Sequence, residues 1–332
     1  MRIGINGFGR IGRIFFRSAW EEGLEVVAVN DLVDAATMAH LLKYDSNYGT
    51  FSPHVRAEDD GIWVADRRIR LTREKDPARI PWADLGVDLV VECTGKFTAA
   101  QEAALHIKQG GAKRVIISAP ARGADITLVV GVNHHQYDPS RHRVVSMASC
   151  TTNCLAPVAK VLQENFGLVR GLMTTCHAYT NDQVILDFPH RDLRRARAAA
   201  LSIIPTTTGA ARAVGLVIPE LRGKLTGLAL RVPVSTVSVV DLVAQLGRPA
   251  TAEEVNQAMR EAAEGSLKGI LGVSEAPLVS ADFKGATESA IVDASLTMAV
   301  DGLAKLVAWY DNEWAYCQRL VDLARYMDER GL

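Results

Sequence analysis

Cys150 and His177 are the clearest candidates in this chain for a nucleophile and its general base. An apolar strand pattern at 143–146 ends just before Cys150, and a helical pattern begins with it. A cysteine at a helix N-terminus lies beside unpaired amides and the positive end of the helix dipole, which favour the thiolate. We therefore expect Cys150 to be a covalent nucleophile; the alternative is a small apolar residue at a buried helix start.

His177 lies 27 residues after Cys150, near the end of a strand pattern at 169–180. A helix followed by a returning strand brings the end of that strand back toward the start of the helix. At hydrogen-bond distance, the imidazole would activate the thiol and serve as an acid and base. The alternative for any single histidine is a structural or surface role.

A second set of features indicates phosphate recognition. Three threonines and a glycine, 206–209, precede a helical pattern, and Arg231 interrupts an apolar strand pattern. Hydroxyls and amides at a helix start, together with a buried guanidinium, bind phosphate well. The charged segment 181–202 has little regular pattern, and irregular segments of this length in compact domains are often functional.

The first half of the chain carries a dinucleotide-binding pattern. Its glycine-rich stretch, Gly7-Phe8-Gly9-Arg10-Ile11-Gly12, lies between a strand pattern at 2–6 and a helical pattern. The first glycine permits a tight turn, the second lets the backbone approach a pyrophosphate, and the third allows the helix to pack closely. Asp31 ends the next strand pattern, where it would bind an adenine-ribose hydroxyl and repel a 2′-phosphate, favouring NAD over NADP. A structural turn is the alternative.

Continuous apolar strand patterns follow, which predict a parallel sheet covered on both faces. The next patterns are those of three strands and one helix, at 88–92, 114–118, 126–130 and 98–108. Ligands of such sheets bind beyond the carboxyl ends of the strands. We therefore expect Thr94, Gly95 and Ser118 to line the cofactor groove, with ordinary loop positions as the alternative.

Beyond Cys150 the short apolar runs give way to longer, alternating strand patterns, which are typical of an antiparallel sheet with one covered face. We predict an α/β protein with an N-terminal Rossmann dinucleotide-binding domain, residues 1–149. An α+β catalytic domain with a mainly antiparallel sheet follows, residues 150–312. Whether the last helix, about 313–332, packs back on the first domain stays open.

The composition argues against several classes of protein. The 332 residues carry 37 Lys and Arg against 38 Asp and Glu, so the basic excess typical of nucleic-acid-binding proteins is missing. No apolar run is long enough to span a membrane, and the strand signals at the start leave no room for a signal peptide. Five dispersed cysteines indicate a reducing compartment, hence the cytoplasm, and no cluster of ligands indicates a metal.

Taken together, these stretches closely resemble the phosphorylating, NAD-dependent glyceraldehyde-3-phosphate dehydrogenases of the bacterial type. The resemblance runs from end to end, and its most specific motif is Ser149-Cys150-Thr151-Thr152-Asn153-Cys154. The other matching stretches are 5–13, 30–32, 40–45, 174–183, 192–209, 231–233 and 309–313.

The resemblance implies a reaction and an assembly. The chain would oxidise D-glyceraldehyde 3-phosphate to 1,3-bisphosphoglycerate, with NAD and inorganic phosphate, as a homotetramer. Cys150 would form a hemithioacetal and then a thioester, and His177 would accept the proton. Cys154, one helical turn further on, is expected to pack toward the core without a catalytic step.

The resemblance also implies the binding residues. Thr180 and Arg231 would hold the substrate phosphate. The attacking phosphate would bind at the two helix starts, with Arg195 close to both anions; the residues are Ser149, Thr151, Thr208 and Gly209. The NAD contacts would be Gly7, Phe8, Gly9, Arg10, Ile11, Asp31, Thr94, Gly95, Ser118, Asn312 and Tyr316.

Two other functions stay open. A related enzyme that oxidises erythrose 4-phosphate would keep Cys150 and His177 but often alters the anion-binding positions Thr180 and 208–209, which are intact here. The second open function is that of a non-catalytic nucleotide-binding regulator or of a nucleic-acid-binding protein with vestigial catalysis. The charge balance and the complete catalytic set disfavour it as the primary role.

Overall fold

The computed structural model describes residues 1–332, which divide into two compact units. Unit 1 comprises Met1–Leu128, His134–Ala148 and Cys317–Leu332. Unit 2 comprises Val129–Asn133 and Ser149–Tyr316. None of the helices combines the length and apolarity needed to cross a membrane.

Unit 1 alternates strands and helices. Its strands are β1 (Arg2–Asn6), β2 (Glu25–Asn30), β3 (Tyr44–Asp45), β4 (Gly49–Thr50), β5 (Val55–Glu58), β6 (Gly61–Val64), β7 (Arg67–Thr72), β8 (Leu89–Glu92), β9 (Arg114–Ile117), β10 (Ile126–Thr127) and β11 (Val144–Ser146). The helices between them are α1 (Arg10–Glu21), α2 (Ala35–Lys43), α3 (Ala100–Ala103) and α4 (Leu105–Lys108).

The sheet of unit 1 has the strand order β10-β11-β9-β8-β1-β2-β7-β6-β5. The strands from β10 to β7 pair in parallel, and β6 and β5 add an antiparallel edge. The central strands β1 and β8 are buried almost throughout, because their apolar side chains face covered layers on both sides. The predicted parallel sheet is confirmed, and its carboxyl ends place Asn6, Asn30 and Glu92 at one edge.

Two of the predicted elements differ from the structure. The strand expected at 126–130 ends at Thr127, because the Asn133 side chain accepts a hydrogen bond from Val129 N (2.8 Å) and turns the chain. The helix expected at 98–108 begins at Ala100 and is interrupted at Ala104. Its start is delayed because Arg122 pairs with the backbone on both sides of residue 99.

Unit 2 begins its main segment with a long helix and continues mostly in strands. Its elements are α5 (Cys150–Phe166), β12 (Leu168–Ala178), β13 (Ile204–Thr207), α6 (Ala210–Val217), β14 (Leu225–Val232), β15 (Ser238–Leu246), α7 (Ala252–Glu264), β16 (Leu271–Ser274), β17 (Ala290–Asp293), β18 (Met298–Val300) and β19 (Leu303–Tyr310). The last helix, α8 (Trp314–Arg330), continues into unit 1, where Gln318 Nε2 donates to Ser18 Oγ (3.1 Å).

The sheet of unit 2 has the order β13-β14-β12-β15-β19-β17-β16, with β18 paired to β19. Its pairs are antiparallel except β12 with β14 and β16 with β17, so the predicted mainly antiparallel sheet is confirmed. Alternate residues face a buried layer and an open one: Met173 is buried, whereas Leu172 is 66% exposed. The segment 181–202 is irregular apart from one turn of 3-10 helix, Ala199–Leu201, as expected.

Candidate active site

The start of α5 and the end of β12 bring Cys150 and His177 together. Ser149 caps α5 by accepting a hydrogen bond from Thr152 N (3.0 Å), and Gly167, at φ +69°, ends the helix and returns the chain into β12. Cys150 Sγ then lies 3.5 Å from His177 Nε2. A thiol and an imidazole at this distance can exchange a proton directly.

The other edge of the His177 ring has two polar neighbours. Nδ1 lies 2.7 Å from the carbonyl oxygen of Ala178, to which it donates when it carries the ring proton. Arg231 Nη1 lies 2.8 Å from the same Nδ1, to which it can donate only in the other tautomer, and it also donates to the Ala178 oxygen at 3.0 Å. In the tautomer with the proton on Nδ1, the Nε2 lone pair is directed at Cys150.

Burial opposes charge on each member of the pair. It lowers the pKa of His177 to about 3, with help from the positive charge of Arg231. It also raises the pKa of the Cys150 thiol, against the opposing effects of Arg231 and of hydrogen bonds from Thr151. Burial therefore outweighs the amides of the helix start, which lower the pKa of the thiol in the expected direction.

The two charges formed together behave differently from either alone. At 3.5 Å a thiolate and an imidazolium attract each other by about 5 kcal/mol at an effective dielectric constant near 20. The apparent pKa values therefore belong to the Cys150–His177 pair and not to either residue alone.

Tyr310 is a site residue that the sequence analysis did not single out. Its buried hydroxyl lies 2.9 Å from both Thr151 Oγ1 and Thr175 Oγ1, and its ring packs edge-on against His177. It therefore joins the first turn of α5 to β12 at the level of the Cys–His pair. The alternation of β19 places residue 310 on the buried face, but its partners follow only from the strand order.

The starts of α5 and α6 lie close together. Thr152 Oγ1 donates to the Ala210 carbonyl oxygen (3.4 Å), which joins the first turns of the two helices. Thr208 Oγ1 accepts from Ala210 N (3.1 Å), and a Cβ on Gly209 would meet nothing within 4 Å. Only part of the segment 206–209 lies at the helix start as predicted. Residues 206 and 207 belong to β13 and pair with β14, so Thr208 and Gly209 alone precede α6.

Two guanidinium groups accompany this hydroxyl cluster. Arg195 Nε donates to Thr206 Oγ1 (3.0 Å), and its Nη1 forms a short ion pair with Asp182. The charge of Arg195 contributes to lowering the pKa of Arg231, for which burial is the main cause. Thr180 is half-buried and lies two residues beyond the carbonyl group to which Arg231 donates.

Unit 1 contains a cavity of about 430 Å³ at the carboxyl ends of its central strands. Four of the predicted cofactor residues line it, namely Gly7, Gly9, Asp31 and Thr94. The other lining residues are Asn6, Asn30, Leu32, Glu74, Lys75, Cys93, Lys96 and Phe97.

Each of the three glycines of the motif is explained by a different structural constraint. Gly7 has φ +91°, and a Cβ there would lie 2.7 Å from Thr94 N. A Cβ on Gly12 would lie 2.1 Å from the Gly7 oxygen, so this glycine permits close packing of α1. A Cβ on Gly9 would meet no protein atom within 4 Å. The open space over Gly9, at the N-terminus of α1, is consistent with a pyrophosphate there.

Asp31 also holds the glycine-rich loop. Its Oδ2 accepts from Phe8 N (2.6 Å) and its Oδ1 from Val33 N (3.2 Å). Phe8 is itself buried, and the Arg10 guanidinium is paired with Asp45 (2.5 Å), a partner that the sequence analysis missed.

The remaining predicted cofactor residues lie outside the lining of that cavity. Ile11 is half-buried and its carbonyl oxygen lies 3.6 Å from Cys317 Sγ. Gly95 is exposed with φ +68°, and Ser118 Oγ donates to the Glu92 carbonyl oxygen (2.9 Å). In unit 2, Asn312 and Tyr316 are buried.

No group of three or more histidine, cysteine or acidic side chains lies close enough to hold a metal ion. The five cysteines are free thiols. Cys154 is fully buried, as expected, with Sγ 3.8 Å from the Ala308 oxygen.

Comparison with known proteins adds to this geometry. Residues 1–100 match the family model "Glyceraldehyde 3-phosphate dehydrogenase, NAD binding domain", and residues 149–312 match "Glyceraldehyde 3-phosphate dehydrogenase, C-terminal domain". The chain is 60% identical over its whole length to a glyceraldehyde-3-phosphate dehydrogenase of Geobacillus stearothermophilus and 60% identical to one of Bacillus cereus, with 99% of each relative covered. It is 58% identical to that of Streptomyces coelicolor, with 98% of both chains covered. The chain belongs to the glyceraldehyde-3-phosphate dehydrogenase family.

Proposed function

We propose that the protein oxidises D-glyceraldehyde 3-phosphate with NAD and inorganic phosphate to 1,3-bisphosphoglycerate, as in glycolysis and gluconeogenesis. The observation that carries the proposal is the distance of 3.5 Å between Cys150 Sγ and His177 Nε2. Family membership over the whole chain supports the same reaction.

Cys150 acts as the nucleophile, and His177 acts as the acid and base. Sγ attacks the aldehyde carbon while Nε2 accepts the thiol proton, and return of that proton to the aldehyde oxygen completes the hemithioacetal. Nε2 then takes the hydroxyl proton as the carbon is oxidised, leaving a thioester on Cys150. NAD, when bound, supplies the acceptor for the hydrogen and electron pair that leave this carbon.

Inorganic phosphate then attacks the thioester carbonyl, the carbon–sulfur bond breaks, and the Cys150 thiolate leaves. The product is an acyl phosphate, so the energy of oxidation is conserved only if water is kept from the thioester. Ser149, Thr151, Thr208 and Gly209 hold the attacking phosphate. The link between the starts of α5 and α6 supports this assignment, because it brings hydroxyl and amide donors together.

Arg231 and Thr180 hold the phosphate of the aldehyde, and Arg195 lies near both anions. The charges of Arg195 and Arg231 are close enough to affect each other, as the lowered pKa of Arg231 indicates. Two guanidinium groups near one another are stabilised by an anion, which supports a phosphate at this position.

NAD binds through the glycine-rich loop and its neighbours in this proposal. The residues are Gly7, Phe8, Gly9, Arg10, Ile11, Asp31, Thr94, Gly95 and Ser118, with Asn312 and Tyr316 at the nicotinamide. The open space over Gly9 supports a pyrophosphate at this position, and the cavity beside it, with Asp31 in its lining, supports a ribose there. The Asp31 carboxylate disfavours a 2′-phosphate.

A homotetramer in the cytoplasm completes the proposal. The open face of the unit 2 sheet carries Leu172, Leu228 and Leu303, which are 66%, 45% and 43% exposed. An apolar sheet face of this kind usually packs against another surface. Five free thiols are consistent with a reducing compartment.

An assay of NADH absorbance tests the function. The wild type should reduce NAD only when glyceraldehyde 3-phosphate and either phosphate or arsenate are both present. A preference for erythrose 4-phosphate as the aldehyde would overturn the proposed substrate, and turnover without phosphate or arsenate would overturn the proposed reaction. Sedimentation velocity of the same sample tests the tetramer.

A further inference from the structure

Glu92 and His106 form a buried pair in unit 1 that the proposed reaction does not use. Both side chains are at most 1% exposed, and His106 Nε2 lies 3.0 Å from Glu92 Oε2. Oε2 also accepts from Asn6 Nδ2 (2.5 Å), and Oε1 accepts from Thr94 N (2.7 Å) and from the Thr94 hydroxyl. Both oxygens are therefore acceptors of two hydrogen bonds each, which describes a carboxylate.

Trp82 fixes the direction of this network. Its indole nitrogen can only donate, and it lies 2.9 Å from His106 Nδ1. Nδ1 is therefore the acceptor and Nε2 carries the proton, which it donates to Glu92. The result is a buried chain of hydrogen bonds from Trp82 through His106 to Glu92.

The network continues beneath the cofactor cavity. Asn6 Oδ1 accepts from Asn30 Nδ2 (2.8 Å), and Asn30 in turn exchanges hydrogen bonds with the Glu74 backbone (2.8 and 2.9 Å). These residues follow or end β1, β2 and β7, and Thr94 follows β8. Asn6, Asn30, Glu74 and Thr94 all line the cavity, whereas Glu92, His106 and Trp82 do not.

We propose that Glu92 and His106 are positioning residues that hold the cofactor-binding loops of unit 1 in the spacing that NAD requires. The inference rests on the proposed NAD binding to this unit. Gly7 and Thr94 meet so closely that a Cβ on Gly7 would lie 2.7 Å from Thr94 N. Glu92 holds Thr94 on one oxygen and Asn6, the neighbour of Gly7, on the other.

The chemistry of the network makes Glu92→Gln the most informative change. Glutamine has the same shape, but its amide nitrogen is a donor. It would face the donors Asn6 Nδ2 and His106 Nε2 in one orientation and the donor Thr94 N in the other. One of the two loops must then lose its anchor. His106→Leu removes one of the four donors to Glu92, whereas His106→Gln keeps an amide donor in its place. Trp82→Phe removes the indole hydrogen bond and part of a buried ring. The Glu92 carboxylate still favours the proton on Nε2 of His106, so all four donors to Glu92 remain.

The test is calorimetric titration of these variants with NAD and with ADP-ribose, which lacks the nicotinamide. We expect Glu92→Gln and His106→Leu to raise both dissociation constants about tenfold, the effect of one lost buried hydrogen bond to a charge. His106→Gln should restore most of the affinity. Trp82→Phe should lower the melting temperature but change both dissociation constants by less than about twofold, since no donor to Glu92 is lost.

Hydrogen exchange of the cofactor-free protein gives a second readout. The amides of residues 93–97 and 6–9 should exchange faster in Glu92→Gln than in Trp82→Phe. The two variants are compared at the same interval below their melting temperatures. Equal dissociation constants for wild type and Glu92→Gln, or equal losses of affinity in Trp82→Phe and Glu92→Gln, would overturn the inference. If Glu92→Gln does not fold, the comparison of His106→Leu with His106→Gln serves instead, because His106 does not line the cavity. A wild type that binds neither ligand would overturn the proposed function as well.

Discussion

The Nη1 atom of Arg231 lies 2.8 Å from Nδ1 of His177, on the edge of the imidazole ring that faces away from Cys150. The guanidinium therefore acts on both members of the pair: its charge lowers the pKa of the thiol and that of the imidazole. An arginine assigned to substrate phosphate thus also sets the electrostatics of the nucleophile and base before the substrate binds.

Removing Arg231 should raise the pKa of His177. In a Cys150→Ser background, which excludes a neighbouring thiolate, the ring should bind its proton with a pKa of about 3. Adding Arg231→Leu removes a repelling positive charge, so the ring should take up its proton at a higher pH, though still below 6.5 because burial remains. The ring-proton shifts in NMR spectra report this midpoint. Identical midpoints in the two proteins would contradict the coupling.

Replacing His177 should impair Cys150 in two measurable ways. In His177→Asn the thiolate loses its cationic partner while the cost of burial remains, so the pH midpoint of alkylation by iodoacetamide should move upward. The oxidation step should slow by roughly a hundredfold or more, as is usual when a general base is lost. The matched control is His54→Asn, at an exposed position of unit 1, which should behave as wild type. A midpoint that moves down would contradict the account.

Some of these relationships follow from the sequence and others do not. The lengths of α5 and β12 follow from their patterns, and with them the return of His177 to Cys150. The partners of Tyr310 depend on which strands are neighbours, which a pattern within one strand does not encode. The same holds for Asn6 and Glu92, whose contact requires β1 and β8 to be neighbours. The strand expected at 126–130 was wrong because Asn133, a side chain outside the pattern, captures the backbone of Val129.

Ser149 should have separable roles in stability and in phosphate use. Ser149→Ala removes the cap of α5 and should lower the free energy of unfolding by about 1 kcal/mol. It should also raise KM for phosphate, because the hydroxyl is a proposed donor to that anion. Thr251→Ala removes the cap of α7 and should cost similar stability without changing KM for phosphate. Urea unfolding and steady-state kinetics measure both quantities, and equal effects on KM would argue against a phosphate-binding role for Ser149.

Asp31 should set the preference between NAD and NADP. Asp31→Asn keeps an acceptor for Phe8 N or Val33 N but removes the charge that repels a 2′-phosphate. We expect the ratio of kcat/KM for NAD to that for NADP to fall by about tenfold, the effect of about 1.4 kcal/mol of lost discrimination. An unchanged ratio would refute the electrostatic explanation of this preference.

Trapping the thioester shows directly whether Cys150 is the covalent nucleophile. The protein is mixed with glyceraldehyde 3-phosphate and NAD without phosphate, quenched in acid, digested and examined by mass spectrometry. We predict a 3-phosphoglyceroyl adduct on the peptide that contains Cys150, located on Cys150 and not on Cys154, and lost when phosphate is added before the quench. An adduct on another residue, or NAD reduction at a wild-type rate by Cys150→Ser, would contradict this prediction.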